Sequence, residues 1–368
     1  MSFWIQQPVL TNQVLAKQIL PPKQLLEKTD TLINNANVKL DYKVFTEIDD
    51  NLLNTAYDFI LDNYMSSESS RLVYSKELIK YFLKNSILIL FTPKGQTDKY
   101  VGLVVGKRKT VYIENAPYIM IDVNFLCLVK KLRKLNLAPY LIAVLTKFSV
   151  EKLNISLAYY TISARINSPC FGKKQMYHRP VNIAHLANSG FFKVSVPNYE
   201  RIYNNFSNTK TAKYLHNIDL PSKDLVENIE TLLLNYNIKT YKVYENLSVT
   251  DILTNKAFHS FAFYENNKLT DFVTLFRLDS QMKQDTTYKN GYLFITAIQY
   301  NTLDTIIDSV AKICKEDNIV DVLTLSDIFP KEIYSKIKFT PGTGILNYYI
   351  FNMDMITVEN SNNGLVTI

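Results

Sequence analysis

The run VNFLCLVKKLRKLNLAP, Val123 to Pro139, decides how this chain is read. An apolar strand, Ile119 to Leu128, leads into a cluster of Lys130, Lys131, Arg133 and Lys134, and a helix opens near Ala138–Pro139. Strand, basic turn and helix start in that order make a site for an anion. The first free N–H groups of a helix point at such a ligand, and the helix dipole favours negative charge there. A phosphorylated cofactor fits the pattern, and coenzyme A is one such ligand.

Working outward, Ile87–Phe91, Tyr100–Val105 and Tyr118–Leu128 read as strands, with Gly95 and Asn115–Pro117 as the turns between them. A helix from Pro139 to about Glu151 and a strand at Ile155–Thr161 complete the unit. Upstream, Leu52, Leu53, Ala56 and Ile60 form a helical stripe, and a short helix follows at Lys76–Leu83. The second half repeats the order. Strands are expected at Ser260–Tyr264, Asp271–Arg277 and Tyr292–Ile298. Then comes an amphipathic helix with Leu303, Ile306, Ile307, Val310 and Cys314 on one face. A strand at Val320–Leu325, a helix at Lys331–Ile337 and a strand at Leu346–Phe351 finish it. Meander, helix and strand, twice over, imply two similar mixed α/β domains. The linker is expected in the polar stretch Asn198–Thr211, dividing the chain into residues 1–200 and 201–368.

Composition narrows the function classes. At 368 residues the chain can hold two domains and a large core. No apolar run approaches the roughly 18 residues of a membrane span, so no integral membrane association is expected. The start, MSFWIQQPV, lacks the basic n-region of a secretory signal. Cys127, Cys170 and Cys314 share no close spacing and suit a reducing compartment, which places the protein in the cytoplasm. The abundance of Asn, Ile, Lys and Tyr fits an AT-rich genome, and for a viral gene the compartment becomes the host cytoplasm. A net charge of +7 calls for an anionic partner. Nucleic acid is not expected, because the basic residues are scattered and no zinc-finger or RNP pattern is present. His178, His185, His216 and His259 have no metal-ligand spacing, so no metal is expected.

Several segments together resemble the glycylpeptide N-myristoyltransferases. FWIQQPV (Phe3–Val9) resembles the FWxxQPV stretch that covers the acyl-CoA, and NFLCLVKKLRKLNLAP (Asn124–Pro139) resembles the NFLCVHKKLRSKRLAP signature. YYTI (Tyr159–Ile162), YHRPVN (Tyr177–Asn182), LTDFVTLFRL (Leu269–Leu278), FTPGTGILNYYIFN (Phe339–Asn352) and the ending GLVTI resemble further family stretches in the same order. The family's basic N-terminal extension has no counterpart here. The resemblance implies two acetyltransferase-like (GNAT-type) halves arranged as a pseudo-two-fold repeat, acting as a monomer. It implies transfer of a tetradecanoyl group from myristoyl-CoA to an N-terminal glycine amine. The acyl-CoA half comes first and the peptide-binding half second.

The resemblance also assigns roles. The thioester's oxyanion falls to the backbone amides of Phe125 and Leu126, where the strand would bulge, with Asn124 orienting the loop. A free α-amine has a pKa near 8, so at neutral pH about a tenth of it is reactive and a base is needed. The family's base is its own terminal carboxylate, which maps to Ile368, and Thr161 assists beside the amine. Phe3, Trp4, Cys127 and Leu128 are implied around the CoA. The amides of Arg133, Lys134, Leu135, Asn136, Leu137 and Ala138 are implied on its phosphates, with Pro139 beside them in the cofactor site. Tyr64, Tyr177, His178, Gly342, Thr343 and Gly344 are implied on the peptide.

This chain also departs from the family. Ser-Lys-Arg becomes Lys134, Leu135 and Asn136, and a His becomes Val129, which implies rearranged phosphate contacts. The acidic run after Asn-Tyr becomes Ser66, Ser67, Glu68 and Ser69, which implies a weaker preference for basic peptides. A Tyr becomes Met176, a Gly becomes Ser163, and an Asp becomes Thr343. Two rivals stand beside the transferase: a degenerate relative that only binds acyl-CoA or lipidated peptides, and a small-molecule N-acetyltransferase.

Overall fold

Side chains that cap the first turn start many of the helices. Asp49, Ser75, Ser222 and Ser248 lie in extended backbone, and each accepts a hydrogen bond from the amide three residues on. They begin the helices Asp50–Asn63, Lys76–Leu83, Lys223–Thr240 and Val249–Leu253. The computed structural model describes residues 17–64, 70–191, 196–206, 208–282, 286–299, 302–354 and 357–365.

The strands of the first half are β1 (Lys17–Gln18), β2 (Leu40–Phe45), β3 (Ser70–Val73), β4 (Ser86–Pro93), β5 (Gly102–Ile113), β6 (Ala116–Leu128), β7 (Ala158–Ile162) and β8 (Gly172–Pro180). Those of the second are β9 (Ala212–Leu215), β10 (Val243–Glu245), β11 (Phe258–Glu265), β12 (Lys268–Met282), β13 (Thr287–Ala297), β14 (Val322–Ser326), β15 (Thr340–Phe351) and β16 (Met353–Asp354). β1 pairs with β16, and the rest form one mixed sheet. Its path is β2-β4-β5-β6-β7-β15-β8-β14-β13-β12-β11-β9, with β10 added to β5 and β3 to β12.

Read from either end, that path is the same. Antiparallel strands β2-β4-β5-β6 lead to a parallel step onto β7 and an antiparallel step onto β15. From the other edge, antiparallel β9-β11-β12-β13 lead to a parallel step onto β14 and an antiparallel step onto β8. Each half gives its last strand to the other, and the exchanged strands pair at the centre. The fold is thus the expected mixed α/β repeat. Backbone pairing runs unbroken past residue 200.

A buried ion cluster also joins the halves. Lys109 Nζ on β5 lies 3.0 Å from Asp122 Oδ2 on β6 and 2.7 Å from Glu245 Oε2 on β10. Burial works against the charge of Lys109, but the two carboxylates hold its ammonium well above the ordinary lysine range.

The polar stretch Asn198–Thr211, expected as a linker, is helical at its start, within Val196–Tyr203. Tyr199 and Tyr203 stack at 5.6 Å, an i,i+4 aromatic pair that supports the turn. β8 and the helices Pro22–Asn35 and Lys223–Thr240 were not expected from the residue pattern.

Candidate active site

The site begins where two strands part. β6 and β7 pair only at Ile121↔Ala158 and Asp122↔Tyr159, and β7 then runs beside β15. A cavity of about 330 Å³ lies in the gap. Val123, Phe125 and Leu126 form one wall and Tyr160, Thr161 and Ile162 the other. Ala138, Ile142 and Leu145 of the helix Ala138–Leu153 also line it. These walls are mostly apolar, and each methylene of a guest buried there contributes about 0.8 kcal/mol.

The wall at Phe125 is a β-bulge. Leu103 faces Cys127 and Val105 faces Asn124, so Phe125 and Leu126 together oppose Val104. Phe125 adopts φ +51°, a left-handed conformation costing a non-glycine residue roughly 1–2 kcal/mol. Aromatic packing holds it there. Its ring is 1% exposed and meets Tyr64, Tyr74 and Phe82 at centroid distances of 5.3, 5.5 and 6.0 Å, all edge-on. Such pairs each contribute about 0.5–1.5 kcal/mol beyond burial. Tyr64 also lines the cavity, and burial pushes its phenol well above the ordinary range, so it stays neutral. Asn124 sits beside the bulge, its amide 3.5 Å from the Asp122 carbonyl, too long to orient the loop through that contact.

The basic turn is a 3-10 helix, Lys130–Leu135. Arg133 is committed to the scaffold: Nε donates to the Leu128 carbonyl at 3.0 Å and Nη2 to the Asn63 carbonyl at 2.5 Å. Lys130, Lys131, Lys134 and Leu135 are exposed. Asn136 reverses the chain at φ +53°, which asparagine tolerates, and Leu137 leads into the helix Ala138–Leu153. No side chain caps that helix, and Pro139 lies in its first turn. Pro139 has no N–H and Tyr140 N donates to Leu137 O at 3.0 Å, so the Ala138 amide is what the first turn offers an external acceptor, with three exposed lysines in the turn before it. The Cys127 side chain is 6% exposed and packs in the core, where burial pushes its thiol up to about 12. A thiol held neutral in this way is no nucleophile. Leu128 is likewise core, and its carbonyl anchors Arg133.

A second cavity, about 70 Å³, adjoins the tail. Lys174, Met176, Thr324, Tyr348, Gly364 and Leu365 are among its lining residues. The tail is laced to the sheet: Lys242 N donates to Asn362 O at 2.8 Å and Gly364 N to Val243 O at 2.7 Å. Leu365 N donates to Asn363 Oδ1 at 3.1 Å, and Lys174 Nζ donates to Leu365 O at 2.9 Å. Leu365 is 2% exposed. A Cβ on Gly364 would lie 2.4 Å from the Tyr241 ring, so only glycine fits. Thr161 faces Tyr348 across β7 and β15, which sets the first cavity one strand from the second.

The expected peptide residues separate into two groups. His178, Gly342, Thr343 and Gly344 come together. β15 carries two extra residues between Pro341↔Tyr177 and Ile345↔Gln175, so Gly342–Gly344 bulges over β8. A Cβ on Gly342 would stand 2.3 Å from His178 Nε2. Thr324 Oγ1 donates to Asn290 Oδ1 at 2.7 Å and lies 2.9 Å from His178 Nδ1. Its one proton being spent, it must accept from Nδ1–H, which leaves Nε2 a bare acceptor. Burial lowers the His178 pKa and keeps the ring neutral. Tyr177 is different: 7% exposed, it stacks on Tyr334 at 3.9 Å inside the second-half core. Phe3, Trp4, Ile368 and the stretch Ser66–Ser69 lie outside the described residues.

Lys174, Asn363 and Tyr241 were not singled out in the sequence. The signal for Lys174 lay in the pair Lys173–Lys174, because adjacent strand residues point to opposite faces and one of the two had to turn inward.

Two family models match the chain: myristoyl-CoA:protein N-myristoyltransferase N-terminal domain over residues 22–171, and its C-terminal domain over residues 198–366. The glycylpeptide N-tetradecanoyltransferase of Dictyostelium discoideum is 26% identical over 345 residues, covering 85% of this chain and 79% of that protein. The Candida albicans protein of the same name is 26% identical over 400 residues, covering 95% and 84%. A crystal structure of Saccharomyces cerevisiae N-myristoyltransferase with bound myristoyl-CoA superposes with a TM-score of 0.81 at 20% identity, over 100% of this chain and 99% of that one. At that identity the likeness speaks for the fold.

Proposed function

This chain belongs to the myristoyl-CoA:protein N-myristoyltransferase family, and from that premise we propose that it moves a tetradecanoyl group from myristoyl-CoA to the N-terminal glycine amine of proteins. One observation carries the site assignment: a strand bulge with Phe125 at φ +51° forms a wall of an apolar slot. That slot is also lined by the first residue of an uncapped helix flanked by lysines.

The acyl chain lies in the slot, and the phosphates of CoA lie at the start of the helix Ala138–Leu153 near Lys130, Lys131 and Lys134. The thioester carbonyl then falls beside the bulge. Attack by the glycine amine forms the C–N bond and moves charge onto the carbonyl oxygen, which accepts hydrogen bonds from the amides of Phe125 and Leu126. Collapse of this intermediate re-forms the carbonyl, breaks the C–S bond and expels CoA as its thiolate. A preorganised donor of this kind is worth about 10²–10³ in rate. Thr161, on the opposite wall, offers its hydroxyl to the amine. We assign the amine's proton to the tail that Leu365 leads into, where the resemblance places the Ile368 carboxylate. His178 Nε2 and the Gly342–Gly344 bulge receive the peptide beyond its first residues.

The test is to incubate the protein with myristoyl-CoA and a Gly-Ser-rich peptide and weigh the peptide. A gain of one tetradecanoyl group is expected. No gain despite acyl-CoA binding would replace the transferase with a binding protein. Transfer from acetyl-CoA to free amines, indifferent to chain length, would replace it with a small-molecule acetyltransferase.

A further inference from the structure

Lys174 is a lysine where stability alone favours none. It is 2% exposed on the central strand β8, facing Leu346 of β15. Its Nζ donates to Leu365 O at 2.9 Å and lies 5.2 Å from the face of Tyr348. The carboxylates of Asp327, at the end of β14, and Glu245, on β10, act on it from neighbouring elements. Burial nevertheless dominates and pulls its ammonium down to about 7. An apolar side chain of similar length would avoid that desolvation and leave the ladder intact.

What such a replacement would lose is the grip on the tail. Paired residues on antiparallel strands share a face, and so do residues two apart along one strand. Thr161 faces Tyr348, Tyr348 is two residues from Leu346, and Leu346 faces Lys174. The lysine that holds Leu365 and the threonine that lines the acyl slot therefore stand on one face of the sheet, with Tyr348 between them. We propose that Lys174 is a positioning residue for the transfer reaction: by holding the Leu365 carbonyl it fixes that residue on the face of the sheet that carries Thr161, as turnover requires. The proposal rests on the transferase function above and adds to it a residue that neither composition nor family resemblance singled out.

Lys174→Met keeps length and apolar packing and removes the donor. Steady-state kinetics should show kcat down on the order of 10²-fold, the cost of a misplacement of about 1 Å. The Kd for myristoyl-CoA, measured by calorimetry, should stay within about twofold, because the acyl slot is untouched. Hydrogen exchange at the Gly364 and Leu365 amides should speed up by about tenfold or more while β8 and β15 stay protected. Lys174→Arg, which keeps a donor, should retain more of both kcat and tail protection than Lys174→Met. A Lys174→Met enzyme with wild-type kcat would overturn the proposal. So would one whose rate, donor binding and global protection fall together. If the wild type transfers nothing, the transferase assignment fails instead, and unchanged tail exchange in Lys174→Met would still dispose of the clamp.

Discussion

Phe125 offers a test in which the usual order of two substitutions reverses. In an ordinary strand glycine is worse than alanine by roughly 0.5–1 kcal/mol, because it loses more backbone freedom on folding. At φ +51° the Cβ is the liability, and its removal returns roughly 1–2 kcal/mol. Phe125→Ala should therefore lose about 3–5 kcal/mol, the range for a large ring taken from a close-packed core. That ring is 1% exposed within the cage of Tyr64, Tyr74 and Phe82. Phe125→Gly loses the same ring and sheds the strain as well, so it should be the more stable variant by about 1 kcal/mol. Urea midpoints at unchanged m-value measure the difference, and hydrogen exchange along β5 and β6 shows whether it is local. Phe125→Ala equal to or more stable than Phe125→Gly would mean that the bulge is not held against backbone preference. The account of the inward-turned amides would then lose its basis.

Four further outcomes follow from the geometry. Gly342→Ala forces a Cβ to 2.3 Å from His178 Nε2, whereas Gly344→Ala meets only Met176 Cγ at 3.5 Å. The first should raise the peptide KM by about tenfold or more, roughly 1.4 kcal/mol, and the second should behave as wild type in the same steady-state assay. Lys130→Ala, Lys131→Ala and Lys134→Ala combined should raise the KM for myristoyl-CoA, each charge contributing about 0.3–1 kcal/mol, with the gap closing as salt is added. Gly364→Ala, pressed against the Tyr241 ring, should displace the tail and lower kcat with donor Kd unchanged by calorimetry. Lys174 has its folded pKa lowered from 10.5 to about 7, so it penalises the fold fully below pH 7, and the penalty disappears as pH rises through that window. Wild-type stability should thus gain on Lys174→Met by about 1.4 kcal/mol per pH unit above 7, read as melting temperatures of the two proteins from pH 7 to about 9.5.

Elements whose residues state their own boundaries were legible before the structure. The helix Lys76–Leu83 has the expected bounds, and the structure adds Ser75 as its cap. The basic turn before Ala138–Pro139 was equally plain. What escaped was decided by distant parts of the chain. The exchange of β8 and β15 leaves no local trace, because each strand looks alike whichever neighbour it meets. Alternation along β8 sends Tyr177 and His178 to opposite faces, one onto Tyr334 and the other toward Gly342, a division set by the partners of the strand. The bulge is the subtler case. NFLC reads as plain strand, and only resemblance pointed to Phe125–Leu126, because the left-handed residue there is a phenylalanine held by its ring.

The second half repeats the frame of the first but fills the space that the first leaves open. β13 carries a bulge like that of β6: Thr274 faces Ile295 and Leu275 faces Leu293, leaving Phe294 as the extra residue. β13 and β14 also pair in parallel, from Asn290 to Tyr292, and the helix Leu303–Glu316 then takes the place of Ala138–Leu153. Yet the helix side of this half is filled. Leu303, Ile306, Ile307 and Val310 are all buried within the second-half core. The anion site is taken as well. Asp271 is 0% exposed, and its Oδ1 accepts from Gln299 N at 2.8 Å and from Thr302 Oγ1 at 3.1 Å, directly before the helix. Where the first half leaves a bare helix start among lysines, the second has built in a carboxylate of its own. Those two donors are already engaged by the carboxylate, so they are not offered to a phosphate. The two halves thus share one frame, packed solid behind the second helix and left open behind the first.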